Sequence, residues 1–189
     1  EDFKDFLQAF RKKFPKRVGR KIRFIPEMPE SKGVKSALEK YKFSRSESSD
    51  QQTYWIDLRL SPNDLLGKLK KNWRNMLTRA QKDGLKTYWS IEPAHLKALL
   101  QYHMLDKIEK DYRGPSVELI AKLAQASAPQ GKMILGRTEK NGAVLGYALF
   151  FLHGKSATYQ IGWTSTEGRK CGAQNLLLWD ALSVLQERH

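Results

Sequence analysis

The sequence predicts an α/β (α+β) domain with a mixed, largely antiparallel central sheet, on three observations. Three β-rich segments follow one another at 133–139, 144–153 and 156–164, with Asn141-Gly142 and Gly154-Lys155 between them as hairpin turns. A charged, glycine-containing segment, Thr164 to Gly172, then leads into Ala173–Leu182, whose apolar residues run round most of a helix and mark it as buried. Helical segments precede the strands, so helices and sheet are expected to share one core.

Taken in order, Phe3, Phe6, Leu7, Phe10 and Phe14 fall at helical spacing up to Pro15. Lys21 to Ile25 alternates like a short strand ending at Pro26. Ser31 introduces a helix with Val34, Leu38 and Tyr41 on one face, and Lys42 to Arg45 reads as another short strand. This first segment is too small to fold alone. Ser46 to Gln52 is polar and aperiodic, a linker or exposed loop. Thr53 to Leu58 is expected as a strand. A single long helix is then expected, capped by Ser61 with Pro62 at its first position and Asp64 three residues on, and closed by Gly84. Leu85 to Ile91 is a strand. Glu92-Pro93 opens a helix reaching about Glu109, and Ser116 starts another that ends before Pro129.

The composition narrows the function classes. The chain of 189 residues is 40% apolar and 11% aromatic, enough for a core. Its longest apolar run, Ala148 to Leu152, is far below the roughly 20 residues of a membrane span. The first residues read as an amphipathic helix rather than a leader. With Glu1 first and a helix running up to His189, the sequence reads as part of a longer protein. A lone cysteine, Cys171, excludes an internal disulfide and suits a reducing compartment. The four histidines are scattered with no metal-ligand spacing, so no metal site is expected. The formal net charge is +14, from 34 basic and 20 acidic residues, and points to an anionic partner: nucleic acid, a phosphorylated small molecule or an anionic membrane surface. A surplus serving only solubility is the alternative.

Two places concentrate the positive charge. On the expected helix 61–84, Leu65, Leu66, Leu69, Trp73, Met76, Leu77 and Ala80 share one face. Lys68, Lys71, Asn72, Asn75, Arg79 and Lys82 share the other, with Lys70 and Arg74 on the flank, and the stripe is expected to find no acidic partner at i±4. It reads as an anion-binding face or as a solvated one. At the second place, Arg169 and Lys170 sit between a strand and the start of a buried helix. Free backbone N–H groups and the helix dipole can hold an anion there. An ordinary connection with solvated side chains is the alternative.

Gly162-Trp163-Thr164-Ser165-Thr166-Glu167-Gly168-Arg169-Lys170, followed by Ala173-Gln174-Asn175-Leu176-Leu177-Leu178-Trp179-Asp180-Ala181, resembles the Fem family of aminoacyltransferases. So does Lys70 to Gly84, a basic helix with Arg74-Asn75 near its middle and Ala80-Gln81-Lys82-Asp83-Gly84 at its end. The resemblance covers essentially the whole chain. It implies tandem domains of the GNAT acyltransferase fold: residues 1–45 as the tail of a first domain, 46–52 as linker and 53–189 as most of a second. It also implies transfer of an amino acid from aminoacyl-tRNA to the stem peptide of a UDP-linked or lipid-linked muramyl peptide, in the cytoplasm or at the inner face of the membrane. Both substrates are polyanionic. Such a reaction needs positioning, release of the amine proton and oxyanion stabilisation, with no metal and no cofactor.

By the same resemblance Tyr159 lines the precursor site, and Tyr112 and Arg113 fall near another precursor-binding segment. Arg169 and Asn175 join them as substrate-binding candidates. Lys68, Lys71, Arg74, Asn75, Arg79 and Lys82 are the anion- or tRNA-binding candidates. The general base is not indicated. The family's Phe-Lys pair near the end of the second domain has no counterpart in this sequence. Two other readings stay open. A coenzyme-A-dependent N-acyltransferase, including exopolysaccharide- or lipid-modifying types, would bind acetyl-CoA or another acyl-CoA through an R/Q-x-x-G-x-G/A loop. Arg169 and Gly172 match that loop, and Gln174 departs from it. A non-catalytic RNA- or membrane-surface-binding module would rest on the basic helix alone.

Overall fold

The computed structural model describes residues 3–23, 28–46, 53–112 and 114–188. The chain forms two compact units, Glu1–Tyr54 and Trp55–His189. In the first, helix α1 (Phe3–Lys13) packs on α2 (Lys32–Lys40), burying Leu7 and Ala37. Ser31 caps α2, its hydroxyl accepting from the Val34 amide. Lys42 ends the helix in the left-handed region at φ 60°. This turn removes the strand expected at 42–45, because the chain is reversing there: Phe43 N–H bonds back to Leu38 C=O at 3.0 Å. Arg11 donates to the carbonyls of Tyr41 and Lys42 (2.8 and 2.9 Å) and lies 3.8 Å over the Phe43 ring. Of the strand expected at 21–25, residues 21–23 are irregular and the remainder lies outside the described residues, as does most of the expected linker.

Residues 53–57, which span the boundary between the two units, are irregular rather than a strand. Tyr54 is 93% exposed and Trp55 62%, so the β-forming composition there finds no partner strand among the described residues. The segment that follows is tied to the body by Gln186, whose amide donates to Leu58 and Leu60 carbonyls at 2.7 and 3.0 Å.

The long helix expected at 61–84 is two helices, α3 (Pro62–Lys68) and α4 (Lys71–Lys82). Leu69 and Lys70 are extended, with ψ 144° and 146°. Arg74 makes the break tolerable, donating from Nη1 to the carbonyls of Leu69, Gly67 and Leu66 at 3.0, 3.3 and 3.5 Å. The orphan carbonyls of α3 therefore have a donor. Ser61 caps α3 through the Asp64 amide. At its far end α4 closes through Gly84 (φ +71°), with Leu85 N–H returning to Ala80 C=O at 3.4 Å.

Strand β1 (Lys86–Trp89), helices α5 (Pro93–Glu109) and α6 (Val117–Ser127), a 3-10 turn (Ala128–Gln130), and strands β2 (Met133–Lys140), β3 (Ala143–His153) and β4 (Ser156–Thr164) follow. A short helix α7 (Thr166–Cys171) and then α8 (Ala173–Gln186) complete the order. The strands run antiparallel in the order β1-β2-β3-β4. Leu99 of α5 and Ile120 and Ala124 of α6 cover one face, against Met133, Leu135, Leu149, Phe151 and Ile161. Leu177, Ala181 and Leu185 of α8 cover the other, against Ile134, Ala148 and Phe150. Helix α4 packs on α7 and α8 through Ala80, Leu85, Leu145, Cys171 and Ala173. Among the described residues no helix is long and apolar enough to cross a membrane.

Asp180 of α8 anchors the edge strand β1, accepting from Thr87 Oγ1 at 2.6 Å and Trp89 Nε1 at 2.7 Å through the same carboxylate oxygen. Hydrogen bonds to a charged acceptor are the stronger kind. Asp180→Ala is expected to destabilise the fold by about 2–3 kcal/mol, read as a lower urea midpoint with early exposure of Trp89 fluorescence.

Candidate active-site surfaces

The junction between β4 and α8 is helical rather than the loop expected from its glycines. Ser165 caps α7, accepting from Gly168 N–H at 2.9 Å, and α7 ends on Gly172 in the left-handed region at φ +77°. Arg169 and Lys170 are exposed in its last turn. Two contacts close the junction against a ligand. A Cβ on Gly172 would lie 2.5 Å from Met76 O of α4, and one on Gly168 would lie 2.4 Å from Leu145 O. Carbonyl oxygens, not an anion, occupy the space beside both glycines. The segment read as a loop is a helix, and Arg169 and Lys170 stand exposed on it as in an ordinary connection.

Gln174, at the first turn of α8, fills the adjoining space. Its Oε1 accepts from Thr164 Oγ1 at 2.9 Å, and its Nε2 donates to Tyr159 Oη at 3.1 Å and Tyr147 O at 3.4 Å. Asn175 beside it is half-buried. Tyr159 reaches Gln174 because β4 carries a bulge: Ile161 pairs with Leu149 but Tyr159 pairs with Phe150, leaving Gln160 as the extra residue. That shift turns Tyr159 onto the α8 face, where its ring packs 5.3 Å from Phe150. Its hydroxyl lies 2.0 Å from where a Cβ on Gly162 would stand, so only glycine fits there. Although 46% of the residue is exposed, this enclosed hydroxyl is desolvated, which raises the phenol above its ordinary value. The Gln174 donation opposes that rise.

The α4 stripe is shorter and less uniform than the sequence implies. Arg74 is committed to the carbonyls of α3, and Lys68 belongs to that other helix. Arg79 does find an acidic partner at i+4, Asp83 at 3.8 Å, which corrects the expectation of none. Lys71, Asn72, Asn75 and Lys82 are exposed. Tyr112 is exposed, but its hydroxyl is engaged. Its hydroxyl is 3.2 Å from His103 Nδ1, while Nε2 of the buried His103 is 3.1 Å from Pro115 O. The Pro115 carbonyl can only accept, so Nε2 carries a proton, and Nδ1 pairs with the Tyr112 hydroxyl. Arg113 lies outside the described residues.

A further set of polar and aromatic groups, none of them singled out from sequence, meets on the α5 face. Tyr88, Arg137, Tyr147 and Trp163 are paired in register across all four strands. Arg137 lies 4.9 Å over Tyr88 and is bonded to Glu139 at 2.5 Å. Tyr102 of α5 stacks on Trp163 at 3.8 Å. His95 Nδ1 is 3.1 Å from Tyr147 Oη. Burial raises the Tyr147 phenol, helped by the neighbouring Tyr102 and by Glu139, and opposed by Arg137. The spacing of His95 and Tyr102 on one helix was visible in the sequence, but the row needs the strand register, which was not. Among the described residues no group of three or more His, Cys, Asp or Glu side chains is placed to hold a metal ion.

No protein-family model matches the sequence, and no curated protein matches it. Among solved structures the chain is similar to the crystal structure of FemX, with a TM-score of 0.68 at 11% identity over 83% of this chain and 57% of that one. It therefore spans 57% of the length of that structure. A looser likeness, TM-score 0.43 at 15% identity, covers 62% of this chain and 38% of the C-terminal DUF2156 domain of a protein named for lysylphosphatidylglycerol synthetase, from Agrobacterium fabrum. At that score it carries no argument. The first likeness shows the fold: this is the GNAT-type architecture of FemX.

The two raised phenols set an alkaline limit. Above the ordinary phenol value of 10.0 the unfolded chain loses these protons while the native one retains them. Stability contributed by the neutral rings is whole below that value and declines as pH rises through and beyond it. Urea midpoints measured from pH 8 to 11 should fall, and the fall should be shallower in Tyr147→Phe/Tyr159→Phe. Gln174→Leu keeps the bulk but removes the donor, so the Tyr159 phenol should ionise at still higher pH by ultraviolet difference absorbance.

Proposed function

We propose that this chain is the acyl-transferring part of a Fem-like aminoacyltransferase, moving an amino acid from aminoacyl-tRNA onto an amine of the stem peptide of a UDP- or lipid-linked muramyl peptide. The observation that carries the reading is the FemX-like backbone over 83% of the chain. In this reading residues 1–45 end a first GNAT-like domain, 53–189 form most of a second, and the enzyme works in the cytoplasm. The net charge of +14 and the exposed Lys71, Arg79 and Lys82 supply cations for a polyanionic donor, with the neutral amide of Asn75 exposed beside them. Tyr159, Tyr112, Arg113, Arg169 and Asn175 are the precursor-side candidates. The coenzyme A reading draws no support from the junction. The matched Arg169 and Gly172 belong to a helical turn and its left-handed end, and Met76 and Gln174 fill the space around them.

Calorimetric titration separates the readings. Saturable binding of a UDP-linked muramyl pentapeptide, with none of acetyl-CoA, supports the proposal, and transfer of labelled amino acid from aminoacyl-tRNA then tests it directly. Acetyl-CoA binding alone overturns it. Lys71→Ala and Lys82→Ala should each weaken tRNA binding several-fold and reduce the slope of log affinity against log salt by about 1. Arg74→Ala should instead lower the melting temperature, because it removes the cap of α3.

A further inference from the structure

Three histidines are described, and their surroundings differ. His103 is buried with both nitrogens committed to Tyr112 and Pro115. His153 is exposed at a hairpin end and bonded to Thr158 at 2.7 Å. His95 alone of the three stands half-exposed beside the polar row that crosses the sheet. It occupies the first turn of α5, with 23% of its side chain accessible. Its Nδ1 is 3.1 Å from Tyr147 Oη, and its Nε2 is 3.7 Å from Glu92 Oε2. The other charged or titratable groups around this pair are Tyr102 on α5, Arg137 and Glu139 on β2, and Tyr88 on β1 beyond Arg137. With a proton on each nitrogen, the ring has an acceptor on either side: the phenol oxygen at Nδ1 and the carboxylate at Nε2.

We infer that His95 is the proton acceptor of the acyl transfer, with Tyr147 and Glu92 as its positioning residues. The inference rests on the proposed aminoacyltransferase function. The attacking amine forms a bond from nitrogen to the ester carbonyl carbon, and the carbonyl electron pair moves onto oxygen. The amine gives its extra proton to His95 Nε2. As the tetrahedral centre collapses, the bond from carbon to the ribose oxygen breaks and His95 returns the proton to that oxygen. No proton is gained or lost overall, and no further reactant enters. Tyr147 is held in the sheet by its cross-strand neighbours Arg137 and Trp163, so it fixes the ring; the exposed Glu92 offsets the charge that forms on it.

The test uses the full chain and the aminoacyl-tRNA transfer assay. His95→Gln should lower kcat/KM by about 10²–10⁴-fold, leave calorimetric binding of the UDP-linked precursor unchanged, and abolish the acid limb of the pH–rate profile. Imidazole in the buffer should restore part of the rate of His95→Ala. Glu92→Gln, a change at an exposed side chain, should lower kcat several-fold while leaving KM and calorimetric binding of the precursor unchanged, because it removes the charge that offsets the protonated ring. A His95→Gln enzyme within about threefold of wild type on the scale where general bases contribute far more, or one retaining the acid limb, overturns the inference while the aminoacyltransferase reading stands. So does a Glu92→Gln enzyme with the kcat of wild type. A wild-type protein that transfers no amino acid overturns both.

Discussion

The two-sided burial of β3 is the constraint on which the second unit depends. Seven successive residues, Leu145 to Phe151, are buried, so neither face of this strand can meet water. Helices must cover both faces, and they do: α5 and α6 over Leu149 and Phe151, α8 over Ala148 and Phe150. Each large apolar side chain so enclosed contributes about 1.5–3 kcal/mol. The outer strands β1 and β4 are half-exposed and depend on side-chain ties to stay in place. Asp180 supplies the tie for β1, and Gln174 supplies it for β4.

Two bulges decide which side chains those faces present. Thr138 pairs with Gly146 and Glu139 with Val144, so Leu145 is an extra residue on β3. It joins Ala80, Cys171 and Ala173 where α4 meets α7 and α8, and its carbonyl receives the Ser165 amide at 2.9 Å. The second bulge, at Gln160, places Tyr159 on the α8 face while Ile161 and Trp163 stay on the α5 face. Without it, strict alternation would set Tyr159 beside Ile161, and Gln174 would lose one of its three partners. The notch at Gly162 follows from the same shift, since the redirected hydroxyl needs that space.

These bulges also mark where reading the sequence stops working. The strands at 133–164, the helices after Pro93 and Ser116, and the buried final helix all follow from local pattern, and each forms. Thr53 to Leu58 and Lys42 to Arg45 carry equally good strand composition and form none, because a strand exists only where a partner pairs with it. The break between α3 and α4 depends on Arg74 reaching carbonyls five to eight residues back, and periodicity carries no sign of that. The basic stripe was legible as composition, but which of its cations face solvent was not. His95 meets Tyr147 across 52 residues of chain, and Tyr147 meets Trp163 only through the pairing of β3 with β4, so no local motif announces the group.

The two candidate surfaces lie on opposite sides of the sheet, which constrains how they can act together. The cations of α4 lie on the α8 side of the sheet, because α4 packs on α7 and α8. His95 lies on the opposite side, where α5 covers the sheet. A buried sheet cannot be crossed by a charged chain, since desolvating unpaired phosphates would far exceed any binding gain. Among the described residues the sheet has two edge strands, β1 and β4, and one way round lies along the outer edge of β4. Thr164 and Gln174 lie on the α8 side of that edge, and Trp163 stacked on Tyr102 lies on the α5 side. In the function proposed above, a donor held at α4 reaches His95 only around an edge of the sheet, a path that suits a narrow single-stranded end better than a double-helical one.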